Sequence, residues 1–555
     1  MTEVLSLEGT DRRSGLRDVS AWEHDPDLRR VIEELVSSIL DGSIKSREEL
    51  QKEKLLAAKK RTLGGLPTNS MILDMIRKRH PEREDELLWL LVKKPSRTVS
   101  GVAVVAVMTS PHSCPHGKCI FCPGGTEKEV PTPQSYTGRE PAAMRGADND
   151  YDPLKQVRRR IEQLEMVGHS TDKIDLILMG GTVTARSPEY QMEFVKGCLD
   201  GMNGTISTTL GEAQDLNESS EHRCIGITFE TRPDHFGDEE SDLMLSLGGT
   251  RLELGVQSLF DLPLLRSERG HSVMDTVNAT KTAKDSGLKV GYHLMPGIPG
   301  STREMNFETA YNAFHDSRFM PDMIKIYPTL VIKGTKLYDM WKRGEYEPIQ
   351  TEDAARLVAE IKRITPPWVR IQRVQRDIPS PLVEGGVDKS NLRQLAEDVM
   401  REHGWNCRCI RCREIGHRMR DGKKPLPENI SLSRREYEAS GGKEVFLSFE
   451  EESTDTLIGY IRLRRPSEDA QRREMALSAI IRELKVFGQM VPIGRDAGDD
   501  WQHRGYGSEL IKYAESLVKD EWGLDRILVT SGIGVREYYR KFGFERVGPY
   551  MGKRL

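Results

Sequence analysis

The chain has 555 residues, 82 Lys and Arg against 86 Asp and Glu, a formal net charge of −4 and 37% hydrophobic residues. That length holds more than one domain, and the near-neutral total excludes nucleic-acid binding driven by overall charge, leaving it to local basic patches. No run of about eighteen apolar residues could span a membrane, and residues 1–30 lack the apolar core of a signal peptide.

In chain order, residues 1–25 read as a mobile tail and residues 26–98 as a basic helical segment. Val31 to Leu40 has helical periodicity. Ser43 to Arg61 carries seven Lys and Arg against three Glu, which makes Lys52, Lys54, Lys59, Lys60 and Arg61 candidates for phosphate contacts. Gly64-Gly65-Leu66-Pro67 breaks that helix, and a second amphipathic helix runs from Ser70 to Arg79.

From residue 99 to 390 the pattern is α/β. Apolar runs at Val102–Met108, Ile174–Met179, Ile225–Glu230, Arg251–Val256, Val290–Met295 and Ile324–Leu330 alternate with helical segments. Six such units in series predict a parallel sheet curled into an incomplete (β/α)6 barrel. Its active face would be built from the loops after the strands. Arg158 and Arg159, on the first barrel helix, could extend the basic patch. Residues 391–425 form a linker with a second cysteine cluster, and residues 426–555 predict a separate α+β domain.

Six of the eight cysteines fall in two tight groups, a metal-site arithmetic rather than a disulfide framework, which points to a reducing cytoplasm. Cys114, Cys119 and Cys122 follow the first barrel strand. Three soft thiolates on one loop suit a four-iron cluster with one iron left open, or a zinc knuckle completed by His112 or His116. Gly180-Gly181 ends the second strand. Glu230, Gln257 and His293 end later ones and aim at the same mouth. Cys407, Cys409 and Cys412, with His403 or His417 near them, suit a structural zinc site or a second iron–sulfur cluster. Near the C-terminus, Gln502-x-x-Gly505-x-Gly507 stands between a strand and a long helix, where backbone N–H groups can cradle a phosphate.

The cysteine loop and the glycine turn resemble those of the radical S-adenosylmethionine (SAM) superfamily, with four residues rather than the usual three in the first gap. The Gln502–Gly507 loop, with Gly534 to Phe544 after it, is similar to the GCN5-related N-acetyltransferase (GNAT) fold. A radical-SAM barrel fused to a GNAT domain resembles the Elongator catalytic-subunit family in its archaeal or bacterial form. Gly64 to Asn69, Gln134 to Gly138, Ile326 to Leu330 and Arg373 to Pro379 match it too.

The resemblance implies modification of the tRNA wobble uridine. A SAM-derived 5′-deoxyadenosyl radical would abstract hydrogen from the acetyl methyl of acetyl-CoA, the resulting carbon radical would add to carbon 5, and hydrolysis of the thioester would release CoA and leave 5-carboxymethyluridine. It implies that Cys114, Cys119 and Cys122 hold a 4Fe-4S cluster and that Gly180 and Gly181 contact SAM. Lys173, Glu483, Leu484, Lys485, Val486, Gln502, Gly505, Tyr506, Gly507, Ser508 and Tyr539 would contact acetyl-CoA, with Tyr539 beside the thioester and Glu230 and Gln257 in the radical site. The tRNA anticodon stem-loop would be the macromolecular partner, with room for accessory subunits. The rival reading is a protein lysine acetyltransferase whose barrel binds SAM without catalysis.

Overall fold

The computed structural model describes residues 20–60, 66–91, 101–423, 425–488 and 505–555. Arg61 and Gln502 lie outside them, as does the Gly64-Gly65 helix break. In the barrel, β1 (Ala103–Met108), β2 (Lys173–Met179), β3 (Arg223–Thr231), β4 (Arg251–Gln257), β5 (Lys289–Leu294), β6 (Met323–Ile326) and β8 (Arg370–Arg373) form one sheet in that order. Each neighbouring pair is parallel. β7 (Val331–Ile332) and β9 (Val383–Gly385) pair as a separate antiparallel ribbon.

The strands are apolar because helices cover one face and the curled sheet closes on the other. The crossover helices begin at side-chain caps that accept otherwise orphaned N–H groups: Asp152, Ser187, Ser272 and Thr302. The expected six strands are one short. β8 is four residues long with arginine at both ends, too brief and too charged to show a strand pattern.

The second sheet contains β10 (Ile430–Ala439), β11 (Gly442–Glu451), β12 (Thr456–Arg465), β13 (Ser478–Val486), β14 (Arg526–Val529), β15 (Glu545–Val547) and β16 (Tyr550–Arg554), ordered β10-β11-β12-β13-β14-β16-β15. β13 pairs with β14 only over Ser478–Ile481, yet stays paired with β12 as far as Val486. The sheet therefore opens between β13 and β14.

This sheet closes the N-terminal end of the barrel. Ile480, Leu528, Ile533 and Tyr550 belong to the barrel's own hydrophobic core. Gly532 and Gly534 lie so close to β3 that a Cβ would meet Ile225 O at 2.1 Å and Arg223 Cβ at 2.5 Å. Around this contact four cations (Lys284, Arg462, Arg464, Arg482) interlock with four anions (Asp285, Asp322, Glu444, Glu483). The helix Leu392–Glu402 is not a free linker: Leu392, Ala396 and Met400 join the barrel core as well.

The N-terminal helices Pro26–Leu40, Arg47–Lys60, Asn69–Arg79 and Glu84–Leu91 pack around their own apolar core. The mobile-tail expectation is corrected from Ser20 onward. Ala21–His24 is helical, and Trp22 is buried with its Nε1 donating to Asp74 at 2.9 Å. No described helix is long and apolar enough to cross a membrane.

Candidate active site

The cysteine loop leaves β1 at the C-terminal mouth of the barrel. Cys119 and Cys122 are buried and Cys114 is half-buried. Each sulfur accepts a donor: Thr182 Oγ1 reaches Cys114 at 3.3 Å, Ser135 N reaches Cys122 at 3.1 Å, and Arg269 Nη1 reaches Cys119 at 3.4 Å. His116 Nε2 stands 3.2 Å from Cys119 Sγ. Burial pushes the Cys122 thiol up to about 11 and raises that of Cys114, as it does for unmetallated sulfur.

The Gly180-Gly181 turn lies directly on this loop. Both residues have positive φ, 141° and 84°. A Cβ on Gly180 would stand 1.9 Å from Thr109 Oγ1, and one on Gly181 3.6 Å from Cys114 Sγ. Glycine here lets backbone, rather than a side chain, face whatever the mouth binds.

The surroundings fit a bound polar cofactor. Thr109 Oγ1, Arg232 Nη1, Gln257 Oε1, Arg269 Nε and His271 Nδ1 are buried without hydrogen-bond partners. A polar ligand in the mouth would offer partners to these atoms. Gln257 also holds φ +67°, a strained backbone for a non-glycine residue.

Below the mouth, a column of charged and polar side chains lines the lumen. Arg251 binds Asp175 at 3.1 Å and Glu253 at 3.3 Å; His293 Nε2 lies 2.8 Å from Glu253; Lys325 binds Glu230 at 3.0 Å and also Glu253. Tyr136 OH donates to Glu230 at 3.1 Å. Glu230, Glu253 and His293 have metal-ligand spacing, but the Lys325 ammonium already supplies the positive charge between the two carboxylates. Burial opposes that charge, yet Glu253 and Glu230 hold its pKa above the usual lysine range. Sequence reading named Glu230 and His293 but missed Tyr136, Glu253, Arg269 and Lys325. Their only signal is a charged residue inside an apolar strand, or a polar one in a loop.

The second cysteine group is tighter. The sulfurs of Cys407, Cys409 and Cys412 lie within 4.8 Å of one another. Tetrahedral zinc with Zn–S bonds of about 2.3 Å needs sulfurs about 3.8 Å apart. Among the described residues the first triad is not such a group; its wider spacing suits a polynuclear cluster. Hydrogen bonds from Cys407 and Cys412 hold the Cys409 thiol well below its ordinary range. Neither histidine completes the set: His417 binds Glu414 at 3.0 Å, and His403 bonds Val399 O and leans on Trp405.

In the second sheet, the split between β13 and β14 exposes the strand edge that carries Glu483 to Val486. The helix Tyr506–Ser516 starts at Gly505, whose φ of +86° turns the chain in, with no side-chain cap among the described residues, and helix N-termini of this kind suit an anion. Gly507 is pressed against Tyr538, whose hydroxyl would be 2.7 Å from a Cβ. Tyr539 is a buried core aromatic, edge-on to Tyr538 and Phe544. Burial, then Tyr538 and the charge of Glu483, keep its hydroxyl protonated. Burial and Arg370 push the Lys485 ammonium down to about 8. Lys173 opens β2 beside Arg223, the residue against which Gly534 packs.

Among the basic candidates, Lys52, Lys59, Lys60, Arg158 and Arg159 are exposed. Lys54 is not. It is buried with its Nζ donating to Asn69 at 2.8 Å, because it shares a helix stripe with buried Leu50 and Ala58. It is withdrawn from the phosphate-contact set.

Fold and site thus define a cysteine-bearing radical-SAM barrel joined to an acetyltransferase domain. Family models agree: the ELP3 N-terminal domain matches residues 28–99, the radical SAM superfamily 108–310, the radical SAM C-terminal domain 321–402 and the GNAT acetyltransferase family 416–544. A tRNA uridine(34) acetyltransferase of Methanocaldococcus jannaschii is 51% identical over 95% of this chain and 98% of its own. Elongator complex protein 3 of Homo sapiens is 44% identical over 88% and 91%. The solved structure of the archaeal Methanocaldococcus infernus Elp3, lacking residues 1–46, is 51% identical with a TM-score of 0.73, covering 82% of this chain and all of that one. This chain belongs to the Elongator complex protein 3 (tRNA uridine(34) acetyltransferase) family.

Proposed function

We propose that the chain is a tRNA-modifying enzyme that builds a carboxymethyl group on carbon 5 of the wobble uridine, using acetyl-CoA. The observation that carries this reading is the union, through one shared core, of a cysteine-loop mouth lined with unsatisfied polar atoms and a split acetyltransferase sheet. The names of the archaeal and bacterial relatives, tRNA uridine(34) acetyltransferase, support the substrate.

In this reading Cys114, Cys119 and Cys122 hold the cluster, while Gly180 and Gly181 admit SAM by exposing backbone. When bound, cluster and SAM supply the hydrogen-abstracting radical that activates the acetyl methyl. Glu230 and Gln257 line that space. Glu483–Val486, Tyr506–Ser508 and Lys173 receive acetyl-CoA, and Tyr539 closes the cleft as a protonated, rigid wall. Lys52, Lys59, Lys60, Arg158 and Arg159 neutralise tRNA phosphates. Presentation of the uridine edge requires an unstacked anticodon base. Cys407, Cys409 and Cys412 hold zinc near the junction of the two domains.

The lysine-acetyltransferase rival needs a proton acceptor beside the thioester. The carboxylate on the opened strand, Glu483, is instead bound by Arg462 at 2.9 Å and Lys289 at 3.6 Å. Although burial opposes its charge, these cations hold its pKa at about 2, which makes it a weak proton acceptor at neutral pH. Anaerobic incubation with SAM, reductant, acetyl-CoA and tRNA, followed by mass spectrometry of nucleosides, tests the proposal. Carboxymethyluridine should appear only in the complete mixture; its absence with a fully assembled cluster refutes the reading.

A further inference from the structure

We infer that Arg269 is the counter-charge built into the cysteine loop and sets the reduction potential of the cluster held there. The inference rests on the cluster assignment made above. Arg269 is buried, 6% exposed. Its neighbour Arg232 is clamped by both oxygens of Asp234, at 2.9 and 2.7 Å. Arg269 forms no ion pair with any carboxylate among the described residues. Its Nη2 donates to Gly255 O at 2.6 Å, its Nη1 to Cys119 Sγ at 3.4 Å, and its Nε has no partner.

A buried guanidinium without an anion is costly, so it belongs where negative charge will arrive. Here the nearest candidate is the thiolate of Cys119, which has a second neighbour in His116 Nε2 at 3.2 Å.

The chain is shaped to seat this arginine. Gly255 stands inside β4, where glycine weakens a strand, and a Cβ there would lie 3.1 Å from Arg269 Nη2. The segment is also fastened to the cysteine loop. Ile120 N donates to Ser267 O at 3.2 Å, and Gly270 packs so closely on His116 that a Cβ would approach its Cβ to 2.7 Å. Hydrogen bonds and positive charge at a ligating sulfur favour the more negative, reduced state. Arg269 touches a ligand rather than the reacting atoms, so its role is positioning and tuning.

The test is an EPR-monitored redox titration of the reconstituted full-length protein, with iron and sulfide measured per chain. Arg269→Gln keeps a donor for Gly255 O but removes the charge. At a fixed potential near the wild-type midpoint, its ratio of reduced to oxidised cluster should fall at least tenfold, a shift of 59 mV for a one-electron couple. Arg269→Lys should retain most of the wild-type potential. An unchanged midpoint in a fully loaded Arg269→Gln protein overturns the inference. So does a folded Arg269→Gln protein that assembles no cluster, which would make Arg269 an assembly residue instead. Wild-type protein that holds no iron would refute the cluster assignment itself, a separate outcome.

Discussion

Arg482→Met should be among the most damaging single changes in the acetyltransferase domain, though it lies outside any binding loop. Arg482 is fully buried and bonds both oxygens of Asp322 at 2.7 Å, Glu444 at 2.9 Å and Leu288 O at 2.8 Å. Removing it takes away the cation that binds Asp322 and Glu444 most closely. Breaking a buried pair in this way costs about 3–5 kcal/mol. Asp322 would keep Arg462 at 3.5 Å and Lys284 at 3.8 Å, and Glu444 would keep Arg464 at 3.1 Å. The lower end, about 3 kcal/mol, is therefore expected. Denaturant unfolding followed by circular dichroism would read it as a lower midpoint with an unchanged slope. The double variant Arg482→Met with Asp322→Leu should recover part of the loss, because no charge is then stranded. A single variant within about 0.5 kcal/mol of wild type, the range of an ordinary surface change, would refute the reasoning.

The same network sets acid sensitivity. Burial opposes the charge of Asp322, but Arg482, Lys284 and Arg462 hold its pKa well below the ordinary carboxylate value, and Glu483 is held at about 2. A depressed folded pKa stabilises above the unfolded value, about 4, and the benefit is lost as pH falls below it. Stability should thus drop steeply from pH 4 toward 2, and a flat profile there would contradict it. Replacing Lys59 and Lys60 together by alanine should weaken tRNA binding and reduce its salt slope by about one per lost phosphate contact. Lys54→Ala should lower the melting temperature and leave that slope alone, which filter binding across a salt series would separate. Gly532→Ala forces a Cβ to within 2.1 Å of Ile225 O. It should destabilise barrel and acetyltransferase in one cooperative transition, whereas two separate transitions would show that the domains fold independently.

Much of the barrel is legible in the sequence because its strands are apolar runs separated by amphipathic helices with capping residues. The exceptions share a cause. β8 and β10, read as Arg-Ile-Gln-Arg and Ile-Ser-Leu-Ser-Arg-Arg-Glu-Tyr-Glu-Ala, are stabilised by their neighbours rather than by their own hydrophobicity. Lys54 shows the reverse failure. Charge alone made it a phosphate ligand, but its four-residue spacing from Leu50 and Ala58 put it on the buried stripe. The cysteine loop and the glycine turn could be paired from sequence because each follows a strand and so must reach the same mouth. Arg269 could not, since nothing local marks which arginine of a loop will turn inward over a strand glycine.

The two halves of the proposed site lie toward opposite ends of the barrel strands. The cysteine loop, Gly180-Gly181 and Gln257 stand at their C-terminal ends, while Arg223, Lys289 and Asp322 meet the acetyltransferase domain at or beside their N-terminal ends. Between them the lumen holds the ion-paired stack from Asp175 to Tyr136, which an acyl arm could enter only by stranding buried charges. The interface that closes the barrel is glycine-tight and shares the barrel core, so a swing of one domain on the other would have to break that core. In the proposed reaction the moving parts are then the ligands themselves: the pantetheine arm of the thioester and the unstacked anticodon base. On that proposal the protein holds two fixed sites between which they must meet.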